Sequence, residues 1–245
     1  MVNGRRSCRP ILAFVAGSGV CFLSFVLAAG AALAFSVLPP SQDVVPNAGL
    51  YNTLIQVVNT REEPLALELE IHERVFGADA AETLRPADDE FVIFPPQVIV
   101  PPGETQTFRI QYLGESLDGQ SKSFRLYIGE VLAPLAPDEP QQIRQRTVFG
   151  AAIHLVPDGI RAEVRVASIE TVTHDGATKT RVVLRNDGGR YVYLTDLDIR
   201  AGDRPITVDD MELPTQTTIL PPGGSRTFYL PNELSTEIAI APRQE

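Results

Sequence analysis

The chain has 245 residues, of which 21 are basic and 31 acidic, giving a formal net charge of −10. That balance argues against nucleic acid as a partner, because a polyanion is bound through surplus cations; its ordinary consequence is solubility. The only two cysteines, Cys8 and Cys21, both lie within the first 34 residues.

Those 34 residues open with Arg5, Arg6 and Arg9, continue through an apolar stretch from Ile11 to Leu33, and offer Ala32-Leu33-Ala34 just before Phe35. A basic start, an apolar run and a small-x-small site make a secretory signal peptide cut after Ala34. The run is also long enough to span a bilayer if left uncut, so an uncleaved N-terminal membrane anchor is the alternative. The Arg5-Arg6 pair carries little weight as a twin-arginine signal, since paired arginines are common in basic leaders. Cleavage would remove both cysteines, leaving 211 residues with a net charge of −13. No disulfide, thiolate metal site or cysteine nucleophile could then form, even in an oxidising compartment.

From residue 35 onward apolar and polar residues alternate with period two, broken by Pro, Gly, Asn and Asp, without sustained helical periodicity. The alternation predicts strands over residues 54–58, 65–71, 106–112, 124–131, 147–156, 162–169, 179–185 and 191–199. This spacing belongs to an all-β chain of sandwiches. An internal echo divides it: Ile99-Val100-Pro101-Pro102-Gly103 followed by Thr107-Phe108 recurs as Ile219-Leu220-Pro221-Pro222-Gly223 followed by Thr227-Phe228. A looser match pairs Asn59 after one strand with Asn186 after another. Prolines end a strand by withholding amide donors, and the glycine lets the chain turn into the next. Each copy therefore marks a corner, and the two halves should share one topology. Pro157-Asp158-Gly159 is the best boundary, so residues 1–34 are read as the signal, 35–157 as one domain and 158–245 as a second.

Chemistry is sparse. His72, His154 and His174 lie in separate elements without companions at metal-ligand spacing, so no metal site is expected. His72 and His154 read as half-exposed strand residues, and His174-Asp175-Gly176 as a hairpin turn. Gly114-Glu115-Ser116 lacks the second glycine of a nucleophile elbow. The groups Asp88-Asp89-Glu90 and Asp209-Asp210 with Glu212 lack the alternating ligands of a calcium loop and read as solvated charge. Neither a catalytic residue nor a cofactor is expected, and the chain is not read as an enzyme.

The segment from Asp89 to Leu132 carries Phe94-Pro95-Pro96, Val100-Pro101-Pro102-Gly103, Gln106, Arg109-Ile110, Ser123-Phe124-Arg125-Leu126 and Glu130-Val131 in order. Together with the leader, the Ser36-Val37 opening strand and Asn59, this order resembles the periplasmic pilus chaperones of the chaperone-usher pathway. The resemblance implies two tandem immunoglobulin-like domains set at an angle around a cleft, a periplasmic location, and stoichiometric rather than catalytic action. It also implies two partners, a pilus or fimbrial subunit and an outer-membrane usher. In that family the last strand of the first domain lends itself to an incomplete subunit, a form of β-augmentation.

The matching stretch here runs from Ile143 to Val156, after the proline-rich connection from Ala133 to Pro140. The resemblance places Ile143, Gln145, Thr147 and Phe149 along the donor face, although Gln145 and Thr147 are poor fillers of apolar pockets. A protein with an open, partly apolar edge uses it or covers it, and self-association in the free state is one way of covering it. The family's arginine and lysine, which hold the subunit's terminal carboxylate, have no plain counterpart. Ser41 or Gln42 stands where the arginine belongs, and Ala152 or His154 stands near the lysine position. Arg144 and Arg146 are the candidate substitutes, with Ser41 and His154 as further anchor candidates. The missing pair keeps a second function open, a structural or adhesive envelope protein that does not donate a strand.

Overall fold

The computed structural model describes residues 35–78, 81–132, 145–231 and 237–242. The proposed leader with its two cysteines, the connection from Ala133 to Pro140, and the candidate residues Ile143 and Arg144 lie outside the described residues. What is described is strand and turn, with three single-turn 3-10 helices. Among these residues no helix is long and apolar enough to cross a membrane.

The first half of the chain builds one sandwich. β1 (Ser36–Leu38) pairs antiparallel with β3 (Asn52–Val58). At Pro39-Pro40 the chain changes sheets, and β2 (Ser41–Val44) runs parallel to β10 (Val148–Leu155). One sheet has the order β1-β3-β8-β6, with β6 (Phe91–Phe94) at an edge and β8 (Thr105–Tyr112) inside. The other has the order β2-β10-β9-β4-β5, formed with β4 (Leu65–Phe76), β5 (Glu82–Pro86) and β9 (Lys122–Glu130). β7 (Gln97–Val100) also pairs with the start of β4. Period-two alternation sends Ile55 and Val57, Phe108 and Ile110, and Phe124, Leu126 and Ile128 into a common core. Each such side chain, fully withdrawn from water, contributes about 1.5–3 kcal/mol.

The second half repeats the plan. β11 (Val164–His174), β12 (Ala177–Asn186) and β17 (Ser225–Pro231) form one sheet. β14 (Leu197–Ala201) lies between β15 (Arg204–Ile206) and β18 (Ile238–Pro242) in another, and β13 (Val192–Tyr193) pairs with β16 (Ile219–Leu220). Val182, Leu184, Ile199, Phe228 and Leu230 fill a separate core. A third, small cluster of Val156, Tyr191 and Ile219, flanked by Phe76, Ile160 and Tyr193, bridges the two sandwiches.

The echo in the sequence is an echo in the backbone. Gly103 and Gly223 both turn with positive φ, 72° and 64°, after which Phe108 and Phe228 are fully buried. The Asn59 amide donates to the Glu104 carbonyl at 2.9 Å, and the Asn186 amide to the Gly224 carbonyl at 3.0 Å, next to the same corner in each half. Both asparagine side chains then hold the chain around them, Asn59 by donating to Val100 and Pro101, Asn186 by accepting from Glu163 and Gly188. The His174-Asp175-Gly176 hairpin is also present, with positive φ at Asp175 and Gly176.

Two expectations about strands change. Residues 191–199 do not make one strand: the chain leaves β13, turns once at Leu194–Asp196 while Leu194 stays buried, and resumes as β14. Residues 162–169 begin two residues late and continue to His174, because a register shift between Val166 and Ser168 breaks the visible alternation.

Candidate functional site

β10 is paired on both sides only along part of its length. Its contacts with β9 run from Val148 to Leu155, but those with β2 cover only Ala152 to Leu155. The backbone of Thr147 faces β9, since its carbonyl accepts the Glu130 amide at 3.0 Å. By alternation, the amides and carbonyls of Arg146, Val148, Gly150 and Ala152 face the other way. The Ala152 amide is met there by the Pro40 carbonyl at 2.9 Å. Among the described residues nothing meets those of Arg146, Val148 and Gly150, so this stretch is an open ladder that stops where β2 begins.

The side chains divide in the same way. Phe149, Ala151, Ile153 and Leu155 point into the sandwich, with Phe149 only partly covered at the core's edge. Thr147 is half-buried on that side and Gln145 is exposed. Val148, on the opposite face, is 47% exposed. Of the four expected donor residues, Thr147 and Phe149 share the face of the sandwich core while Gln145 lies before the strand and is exposed, so a strand added at this edge would meet Thr147 and Phe149 from its own inner face.

Behind the closed half lies a cleft. Ser41, Ala152, Arg125 and His72 stand opposite one another across β2, β10, β9 and β4. Gly150 and Ala152 are small, and a Cβ on Gly150 would already lie 3.4 Å from Cδ of Arg125. That space lets the Arg125 side chain, 31% exposed, turn into a cavity of about 430 Å³ bordered by Ser41, Ala152, Tyr193 and Thr217. Arg74, two residues beyond His72 on β4, enters the same cavity. Its buried guanidinium grips Glu82 of β5 with Nε at 2.9 Å and Nη2 at 2.7 Å, while Arg125 reaches the same carboxylate at 3.5 Å. Burial tends to raise the Glu82 carboxyl, but the hydrogen bond and charge of Arg74, joined by Arg125, outweigh it and hold it below the usual range. Among the described residues that line it, two cations and one anion leave the cleft with a surplus of one positive charge.

His154 belongs to a different structure. The expectation of a half-exposed histidine, and of a basic anchor at this position, is corrected by its complete burial. Its Nδ1 bonds Ser123 Oγ at 2.8 Å and its Nε2 bonds the Tyr193 hydroxyl at 2.9 Å. The ring stacks on Tyr191 at 3.9 Å. Burial first, then the nearby Arg74, lowers its pKa to about 4. It is neutral at neutral pH with both nitrogens occupied, so it cannot clamp a carboxylate. Tyr191 in turn donates to Asp43, which also pairs with Arg190. This knot ties β2 and β10 to the second sandwich.

Of the other anchor candidates, Ser41 borders the cleft. Arg146 lies over Gly129, where a Cβ would come within 2.6 Å of its guanidinium, and is engaged with Glu68 at 2.6 Å and the Glu130 carbonyl at 2.9 Å. It is therefore on the outer surface of the open half rather than in the cleft. Sequence reading missed Arg74, Arg125 and Glu82 as a group. Arg125 stood within the Ser123-Phe124-Arg125-Leu126 motif, and Gly150 and Ala152 are small residues spaced to make room on one face of a strand, but neither signal connects Arg125 to Arg74 or Glu82. Elsewhere, His174, Asp175 and Glu212 bring three ligand atoms within 4.8 Å of one another, but Glu212 is already paired with Lys179.

No protein-family model and no curated protein sequence matches the chain. Solved structures do match in fold. The class 5 fimbriae chaperone CfaA aligns over 86% of this chain and 92% of its own, with a TM-score of 0.57 and 15% identity. The CsuC-CsuE chaperone-tip adhesion subunit pre-assembly complex, from the archaic chaperone-usher Csu pili of Acinetobacter baumannii, aligns over 86% of this chain and 99% of the matched chain, with a TM-score of 0.57 and 13% identity. The Salmonella enterica SafA pilin in complex with the SafB chaperone gives 85%, 96%, 0.54 and 15% for the same quantities. The chain thus has the two-domain immunoglobulin-like fold seen in fimbrial chaperones.

Proposed function

We propose that this chain, which shares its fold with the fimbrial chaperones, is itself a divergent periplasmic chaperone of the chaperone-usher pathway. It binds a pilus subunit by donor-strand complementation and delivers it to an outer-membrane usher. Residues 35–157 form the subunit-holding domain and residues 158–245 the second domain, with export through the leader at residues 1–34. The observation that carries the reading is the half-open edge of β10, which ends at a basic cleft.

A strand laid along that edge would take up the unmet amides and carbonyls of Arg146, Val148 and Gly150, which supply affinity without regard to sequence. Thr147 and Phe149, with Gln145 and Ile143 before them, would supply side chains to the subunit's unfilled core. A guest strand parallel to β10 has to stop where Pro40 takes the Ala152 amide, and its terminal carboxylate then arrives beside Ser41 and Arg125. Arg125 therefore serves in place of the family's basic pair, its charge brought from the neighbouring strand over small residues. A charge-assisted hydrogen bond of this kind contributes about 1.5–3 kcal/mol. Arg146, held by Glu68 on the outside, is not needed for it.

The test is co-expression with small secreted subunits and recovery from the periplasm. The wild-type chain should elute with its subunit one to one, and Val148→Pro, which deletes an edge-facing amide, should not. A complex that survives Val148→Pro and Phe149→Asp contradicts strand donation and favours an envelope protein that binds by another surface.

A further inference from the structure

Arg125 already has a carboxylate partner within the chain. Glu82 lies on β5, an edge strand that pairs only with β4 among the described residues. Its two oxygens are shared unequally. Arg74, with its side chain only 4% exposed, holds both at 2.7–2.9 Å, whereas Arg125 reaches one of them at 3.5 Å, the outer limit of a hydrogen bond. Arg74 is thus committed to Glu82. Arg125, partly in solvent at the mouth beside Ser41 and Ala152, is held weakly and has donors to spare.

We infer that Glu82 is a resident carboxylate that restrains Arg125 in the empty cleft and yields it to the terminal carboxylate of an arriving strand. The inference rests on the anchor reading given above and adds a regulatory step to it. The physical reason is the charge balance among the described residues of the cleft: the Arg74-Glu82 pair is internally neutral, so one external carboxylate completes the site and a second meets no further cation there. In the empty protein the Glu82 charge partly neutralises Arg125 at the mouth and lowers its attraction for any stray anion. A bound strand brings its carboxylate to the mouth and holds it there through the ladder, which raises its effective concentration enough to take Arg125 over. A carboxylate without a strand, or a strand without a terminal carboxylate, should therefore bind poorly.

The experiment uses the mature chain and a fluorescent ten-residue peptide of alternating valine and threonine, made once with a free C-terminal carboxylate and once as the amide. Wild-type protein should prefer the acid by about threefold, well below the roughly tenfold or more that a fully available charge-assisted hydrogen bond gives. Glu82→Gln should raise the preference to about tenfold, and Arg125→Met should abolish it. Because Glu82→Gln leaves Arg74 buried beside a neutral partner, the double variant Arg74→Met/Glu82→Gln is the deciding one: it replaces the buried pair by uncharged side chains of similar length and should also raise the preference. Thermal unfolding checks that each variant is folded. An acid preference that is lost in Arg125→Met but does not rise in the double variant overturns the restraint and leaves the anchor reading standing. No acid preference in any variant, or no binding of either peptide, overturns the anchor reading itself.

Discussion

The two halves of β10 are built for opposite purposes. From Ala152 to Leu155 the strand is hydrogen-bonded on both sides, Ile153 and Leu155 are in the core, and His154 is wedged between Ser123 and the tyrosines of the second sandwich. From Val148 to Gly150, and at Thr147 just before it, the chain has β9 on one side and, among the described residues, nothing on the other. The difference is set by β2, which is only four residues long and begins after Pro39-Pro40. A longer β2 would close the edge and leave an ordinary sandwich. The closed half also has a task, because it fixes the register and the direction of the open one and places the cleft at its end.

If that division is correct, mutations of equal severity should have unequal consequences. The largest loss of stability is expected for Ile153→Ala in the closed half, about 2–5 kcal/mol by chemical denaturation, since it opens a cavity in the core. Next is an acid effect. His154 is protonated near pH 6.5 when unfolded but only near pH 4 when folded, so the unfolded state binds the proton first. The stability due to its neutral form is complete above about pH 6.5 and is lost as pH falls toward 4, amounting to about 2 kcal/mol by pH 5. Denaturation curves across this range should show that slope, and His154→Gln should flatten it.

A smaller change, about 1–2 kcal/mol, is expected for Asp43→Ala, which leaves the largely buried Tyr191 hydroxyl without its acceptor. Burial, with the hydrogen bond and charge of Asp43, raises that hydroxyl's pKa in the intact protein. The smallest stability effect belongs to the open half. Val148→Asp should change unfolding by no more than about 0.5 kcal/mol, since the side chain faces solvent. A loss of several kcal/mol there would mean that the edge is covered in the free protein, as self-association would produce.

Features that the chain repeats or alternates were legible from sequence. Period-two alternation located β3, β8, β9 and β12 closely, and the duplicated Pro-Pro-Gly corners announced two halves of like topology. The cleft was not legible, because its members come from separate strands. Arg74 meets Glu82 across a hairpin, Arg125 meets the same carboxylate from 43 residues away, and only the register of the sheet places Arg125 beside Ala152. His154 illustrates the same limit: its environment is made by Tyr191 and Tyr193, which no local pattern connects to it. β5, β15 and β18 escaped notice because three to five residues are too few to establish an alternation.

Whether the open half of β10 receives a strand is decided by amide hydrogen exchange with and without a bound subunit. Strand donation requires rapid exchange at Val148 and Gly150 in the free protein, slow exchange at Ala152 in both states, and strong protection of Val148 and Gly150 once the subunit is held. A stable complex in which those two amides still exchange rapidly would contradict it.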